Sequence, residues 1–324
     1  MKIKSIIYTS PFCCKFYYYD IKEALMKKIF SIILIVTLLV SNSILIYADS
    51  EDSKEISTYA YPITAESAIW KAYTTHDQKV EACRIPQSTL DNLSTEGVLK
   101  AILDYPLFFD FFAYSDWDTA LKKLQVECDA LAEFLSRDDS NQVLNRMNKS
   151  NEFDEVQAHL INLLRGYILD SDITPRLSVR TPNGSSVTVY TLGEISATER
   201  KQLDDYAKKA YPNATLISNS TAKYNCHSYA WYLRDANNIY WMNDPSLYMS
   251  DGSYTKIASG VSNYTAIASN DIIYYTDHSA VSHTNGGSTI KYITVYSKWG
   301  QGPLMSHRVH DCPYSLSNVS VWRR

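Results

Sequence analysis

The pattern of apolar and polar positions divides the chain into two stretches. From 61 to about 170, apolar residues recur every three or four positions, the period of helices with one buried face. Residues 65–73 predict a short helix. Ser94-Thr95-Glu96 opens a longer one that runs through Val98, Leu99, Ile102 and Leu103 and stops at Pro106. Ser115 with Asp118 three residues on is an N-terminal cap pattern. It introduces Ala120, Leu121, Leu124, Cys128, Leu131 and Phe134 on one face. Val156, Leu160, Leu163, Leu164 and Ile168 repeat the period. Between these segments, 107–114 is dense in aromatic side chains (Phe108, Phe109, Phe111, Phe112, Tyr114), which reads as core. The expectation is an all-α domain over 61–171.

Past a linker broken at Pro175 the period changes. Leu177-Ser178-Val179-Arg180 and Ser186-Val187-Thr188-Val189-Tyr190 alternate around Pro182-Asn183-Gly184, a hairpin signal. Ser196-Ala197-Thr198-Glu199 is a capping box for a helix through Leu203, Tyr206, Ala207 and Ala210 that ends before Pro212. A helix carrying Cys226 follows. Residues 238–270 read as loops, with turn signals at Asp244-Pro245 and Asp251-Gly252. β-Branched and aromatic runs at 271–275, 278–282 and 290–296 then predict an antiparallel meander. Residues 177–324 are therefore expected to form an α+β domain, helices against an antiparallel sheet.

Charge and composition remove several function classes. A net charge of −4 gives no sign of a nucleic-acid partner. Only 10 glycines are present, with no GxGxxG or GxxxxGK[ST] run, so no nucleotide cofactor is expected. Lys27-Lys28, an apolar run at 29–40 and Ala48 read as a signal peptide over 1–48. Met26 looks like the natural start, which leaves 1–25 as an over-extended one. Residues 49–60 read as a disordered lead-in. The expected mature chain is exported and carries no membrane anchor. Its cysteines are Cys83, Cys128, Cys226 and Cys312. A Cys83–Cys128 bridge is compatible with export, and Cys226 is expected to be free.

The chemistry centres on Tyr224-Asn225-Cys226-His227-Ser228-Tyr229-Ala230-Trp231. Asn225 is a plausible N-cap, and a cysteine on the first turn lies where backbone N–H groups favour a thiolate. His278, opening the second meander strand after Thr276-Asp277, is placed to take the thiol proton. Candidate oxyanion donors are the Cys226 backbone N–H with His227 or Tyr224.

Asn225-Cys226-His227-Ser228-Tyr229-Ala230-Trp231, followed by Asn270-Asp271-Ile272-Ile273-Tyr274-Tyr275-Thr276-Asp277-His278-Ser279-Ala280-Val281, resembles the cysteine and histidine blocks of NlpC-type and CHAP domains. Those are papain-like cell-wall amidases and endopeptidases. The resemblance covers roughly 180–324. It implies a papain-like fold there, Cys226 as nucleophile and His278 as base. The third catalytic position falls on His307 by residue type, ahead of Ser297 by place. Asn270 and Asp277 stand where the family commonly has glycine, and 297–304 has no counterpart there. The implied function is an exported, extracellular or cell-wall-associated thiol amidohydrolase or peptidase. Its substrate would be a peptide or peptidoglycan-type amide, with loops 241–270, including Trp241 and Tyr248, walling the cleft. Two other classes fit the same residues. One is a non-catalytic exported binding module; the other is a zinc site drawn from Cys226, His278, His307, His310 and Cys312.

Overall fold

The alternation in 177–190 produces the expected hairpin. Strands β1 (Arg176–Arg180) and β2 (Ser186–Tyr190) pair Arg176 with Tyr190 and Arg180 with Ser186. Gly184 takes the positive φ that the turn needs (93°). The computed structural model describes residues 58–148, 150, 152–169 and 176–324. The expected signal segment, all but the end of the lead-in, and most of the linker lie outside the described residues.

The first half is helical. Helices α1 (His76–Ala82), α2 (Gln87–Leu90), α3 (Thr95–Leu103), α4 (Trp117–Glu127), α5 (Asp129–Ser136), α6 (Ser140–Met147) and α7 (Glu155–Leu169) follow in order. Residues 65–73 supply only a 3-10 turn at Ala68–Ala72. The apolar face running from Ala120 to Phe134 belongs to two helices, because Cys128 adopts extended backbone (φ −112°, ψ 99°) and breaks the run. The cap of α4 is Asp116, whose carboxylate accepts from Thr119 N at 2.7 Å, not Ser115.

In the second half, α8 (Ala197–Ala210) is followed by β3 (Thr215–Ser218), a short helix α9 (Ser246–Ser250), β4 (Thr255–Ser259), β5 (Tyr264–Ile267), β6 (Ile272–Tyr275), β7 (His278–Ser282), β8 (Gly286–Thr289), β9 (Thr294–Lys298), β10 (Leu304–Arg308) and β11 (Ser320–Arg323). The main antiparallel sheet runs β3-β10-β9-β7-β6-β11-β4, and β5 pairs with β8 separately. The fold class is α+β. The expected loop at 238–270 contains α9, β4 and β5. Their positions are largely exposed, so apolar alternation is missing. Asn270 sits at φ 77°, the left-handed backbone that glycine or asparagine adopts, and Asp271 is buried holding Arg323 of the last strand (2.6 and 2.8 Å).

The helical half and one face of the sheet share a single core. Phe108, Phe109, Phe111 and Phe112, in a 3-10 turn, are all buried in it with Tyr211, Tyr275, Trp299 and Met305. The β9–β10 turn is the seam. Gly300 (φ 50°) brings its backbone so close that a Cβ there would meet Phe112 O at 2.2 Å, and Gln301 N donates to that carbonyl at 3.0 Å. Trp299 packs on Phe109 and Tyr211 at ring centroid distances of 5.7 and 5.0 Å. The helix carrying Cys226 lies on the opposite sheet face, in a second core with Val281, Leu304, Trp231 and Tyr254. Among the described residues, no helix is long and apolar enough to cross a membrane.

Because the core is common, far-ultraviolet circular dichroism and tryptophan fluorescence are expected to report one coincident urea transition. Trp299→Ala should lower stability by about 3–5 kcal/mol by both probes. Two separate transitions, with only one displaced by the substitution, would contradict a shared core.

Candidate active site

Asn225 builds the start of the Cys226 helix as expected. Its side-chain oxygen accepts from Ser228 N and Met242 N, both at 3.1 Å, and its amide donates to Met242 O at 2.7 Å. The helix is short. It begins at Cys226 and widens into a π-turn at Ser228–Tyr232, where Leu233 N reaches Ser228 O. Seven residues carry little macrodipole, so individual N–H groups set the field at the thiol.

Cys226 is fully buried. Ser115 Oγ lies 3.4 Å from Sγ, which is why Ser115 does not cap α4. Burial pushes the Cys226 thiol up, outweighing the Ser115 hydroxyl and the backbone N–H groups of Ser279 and His227 that pull it down. At neutral pH the resting group is a protonated thiol. Beside it on the same sheet face is Lys298, whose ammonium donates to the carbonyls of Thr221, Gly300 and Gly302 at 2.9, 2.6 and 2.5 Å. Burial brings Lys298 down to about 7, and the Cys226 thiolate favours its charged form. Sequence marked Ser115 only as a helix cap and gave no role to Ser279 or Lys298, because a serine or lysine on a strand has no signature until its register is known.

His278 and Cys226 are not hydrogen-bonded: both ring nitrogens of His278 are buried without a partner. The two side chains leave β7 and the helix toward different faces. Ser279 points to the Cys226 helix, its Oγ bonded to His227 Nδ1 and Trp231 Nε1 at 2.8 Å each. His278, one residue earlier, alternates to the other face. It stacks on Tyr314 at 3.6 Å and 7° and packs on Tyr275, its register partner. Burial holds His278 well below the ordinary histidine range, so it is neutral at pH 7.

His307 does not orient His278. Its Nε2 accepts from Ser297 Oγ at 2.6 Å and from Trp299 Nε1 at 3.4 Å, and its Nδ1 donates to Arg308 O at 2.8 Å. It pairs with Val295 on β9, which separates it from β7 by a strand. Ser297, the alternative by place, is engaged by His307 itself. Asp277 forms an ion pair with Lys123 of α4 at 3.0 Å. The zinc set does not assemble. His310 Nδ1 bonds Lys291 O, Cys312 Sγ bonds Val309 O, and among the described residues no group of three or more His, Cys, Asp and Glu could hold a metal ion. Cys83, Cys128, Cys226 and Cys312 are all free thiols, so the Cys83–Cys128 bridge is not formed.

A cavity of about 640 Å³ opens between the helical segment 111–120 and residues of the second half. Ser115, the partner of Cys226, lines it, as does Trp241, whose Nε1 donates to Ser115 O at 2.5 Å. Tyr248 lies instead in the wall of a second cavity with Trp231 and Tyr254. Comparison of the chain with protein-family models, with curated proteins and with solved structures found no match.

Three buried neutral histidines give the fold an acid liability. His227 and His307 are each brought by burial to about 4, and burial also holds His278 well below the ordinary histidine range. In the unfolded chain each titrates near 6.5. Below that value the unfolded state binds more protons, so their contribution is complete above pH 6.5 and is lost as pH falls toward the folded values. His278→Phe should keep the stacking on Tyr314 and flatten the stability–pH curve between pH 6.5 and 4.5 by up to about 1.4 kcal/mol per pH unit. An unchanged slope in urea titrations would show that His278 is not buried in neutral form.

Proposed function

We propose that the protein is an exported thiol amidohydrolase or peptidase with Cys226 as its nucleophile. One observation carries this reading. Cys226 Sγ lies 3.4 Å from the hydroxyl of Ser115, a residue that lines the aromatic cavity, and the Ser115 hydroxyl and the backbone N–H groups of Ser279 and His227 pull the thiol toward ionisation. Those groups favour the thiolate, the form that adds to a carbonyl. The helix-on-antiparallel-sheet setting of Cys226 and the resemblance to NlpC-type and CHAP domains support a papain-like arrangement. The segment at 27–48 supports export, and cell-wall peptides are the amide substrates such a setting offers.

The resting state is closed. Ser115 must rotate off Sγ for a substrate carbonyl to reach it. His278, neutral with both nitrogens free, accepts the thiol proton once its ring leaves Tyr314 and β7 rearranges to bring it to the Cys226 face. The thiolate adds to the carbonyl carbon, the carbon–nitrogen bond breaks, and imidazolium returns the proton to the departing amine. Water, deprotonated by the same imidazole, cleaves the thioester and restores the thiol. Opening also admits water and raises the histidine's basicity, since burial is what depresses it.

The burial of Cys226 and His278 favours a second reading, in which both are core residues of a non-catalytic binding module on the same fold. Substitution separates the two. With peptidyl amides or cell-wall peptides as substrate and amine release as readout, Cys226→Ala should abolish turnover. His278→Phe should cost about 10²–10⁴-fold in kcat, and His307→Gln less than about tenfold, since His307 does not touch the pair. Turnover unaffected by Cys226→Ala, with the variant still folded, eliminates the hydrolase reading.

A further inference from the structure

The cavity at Ser115 carries more chemical information than its position. Phe111, Trp117, Tyr190 and Trp241 supply aromatic surface. Two of its lining residues hold a buried polar atom without a partner: the donor Trp117 Nε1 and the acceptor Gln301 Oε1. Buried polar groups are ordinarily paired, and an orphan costs about 1–3 kcal/mol. An orphan donor and an orphan acceptor on two residues that line one cavity match a ligand that presents both a carbonyl oxygen and an N–H. A peptide unit does this, whereas a hydrocarbon does neither.

Charge narrows the ligand further. No lysine or arginine lines the cavity, and Asp116 does. A phosphate or carboxylate would enter without a counter-ion and beside a carboxylate, so anionic ligands are disfavoured. The volume of about 640 Å³ is that of a pocket for a compact ligand, not a groove for a long chain. Aromatic walls favour an aromatic ring, through offset or edge contacts.

We propose that this cavity is a specificity pocket for an uncharged aromatic residue of a peptide substrate. The residue's amide would bond Trp117 Nε1 and Gln301 Oε1, placing the adjoining scissile carbonyl at Ser115. This deepens the thiol-hydrolase reading and rests on it for the scissile bond, while the binding site itself is testable without turnover.

The test uses the full mature chain carrying Cys226→Ala, titrated with N-acetyl-phenylalanine amide, N-acetyl-alanine amide and N-acetyl-glutamate amide by saturation-transfer NMR. The phenylalanine probe should bind at least about tenfold more tightly than the alanine probe, and the glutamate probe should not saturate. Trp117→Phe and Gln301→Met, each added to this background, should weaken the phenylalanine probe about tenfold without lowering Tm by more than a few degrees. Equal affinity for the three probes, or full affinity in both variants, overturns the pocket assignment. In the unsubstituted protein, aromatic-selective binding without any turnover would leave the pocket standing and remove the hydrolase. Turnover with no aromatic preference would do the reverse.

Discussion

The packing of the aromatic 3-10 turn Phe108–Phe112 against the β9–β10 turn is the interaction on which the rest depends. Gly300 has no side chain, and only that absence lets the backbone approach Phe112 closely. Lys298 holds the turn from behind by bonding three carbonyls that would otherwise be buried unpaired. A buried ammonium is costly, but here all three of its donors are satisfied, and removing it would orphan three acceptors at once. Through this seam a helical segment and a sheet become one folded unit. The same seam brings Ser115 to Cys226, and it forms one side of the cavity at Gln301.

That constraint explains the resting chemistry. Ser115 of the helical half closes over the Cys226 thiol. With the helical half docked, the thiol is enclosed and protonated, and His278 is sandwiched among tyrosines on the far face of β7. Burial therefore sets both groups neutral, and the proposed chemistry requires an opening that also brings His278 to the Cys226 face. Ser115 and Tyr314 are the contacts that must give way. Both touch the helical half, Ser115 by belonging to it and Tyr314 through its hydrogen bond to Ala113 O at 2.6 Å.

Much of the architecture was legible because local rules decide it. Asn183-Gly184 fixed a hairpin, Ser94 and Ser196 capped helices, and Asn225 capped the Cys226 helix in its expected place. The aromatic stretch at 107–114 is core, as its density implied. What could not be read is non-local. A 3.6-residue period shows that a face is buried but not what covers it, so the shared core looked like two domains. The partner of Ser115 is distant in sequence, and the cap therefore shifted to Asp116. The orientation of His278 turns on strand alternation: Ser279, not His278, holds the inward position against the Cys226 helix. β4 and β5 were missed because their exposed positions carry no apolar rhythm. The segment 297–304, without counterpart in the domains the sequence resembles, is the turn that docks the helical half.

The most direct test of Cys226 as nucleophile is to look for the covalent intermediate. A peptidyl amide or ester substrate is mixed with the protein, quenched in acid during turnover, and digested for mass spectrometry. The predicted result is an acyl mass on the peptide containing Cys226, removed by hydroxylamine as a thioester would be. Turnover with no acyl group on Cys226, or an acyl group on another residue, would contradict the proposed chemistry.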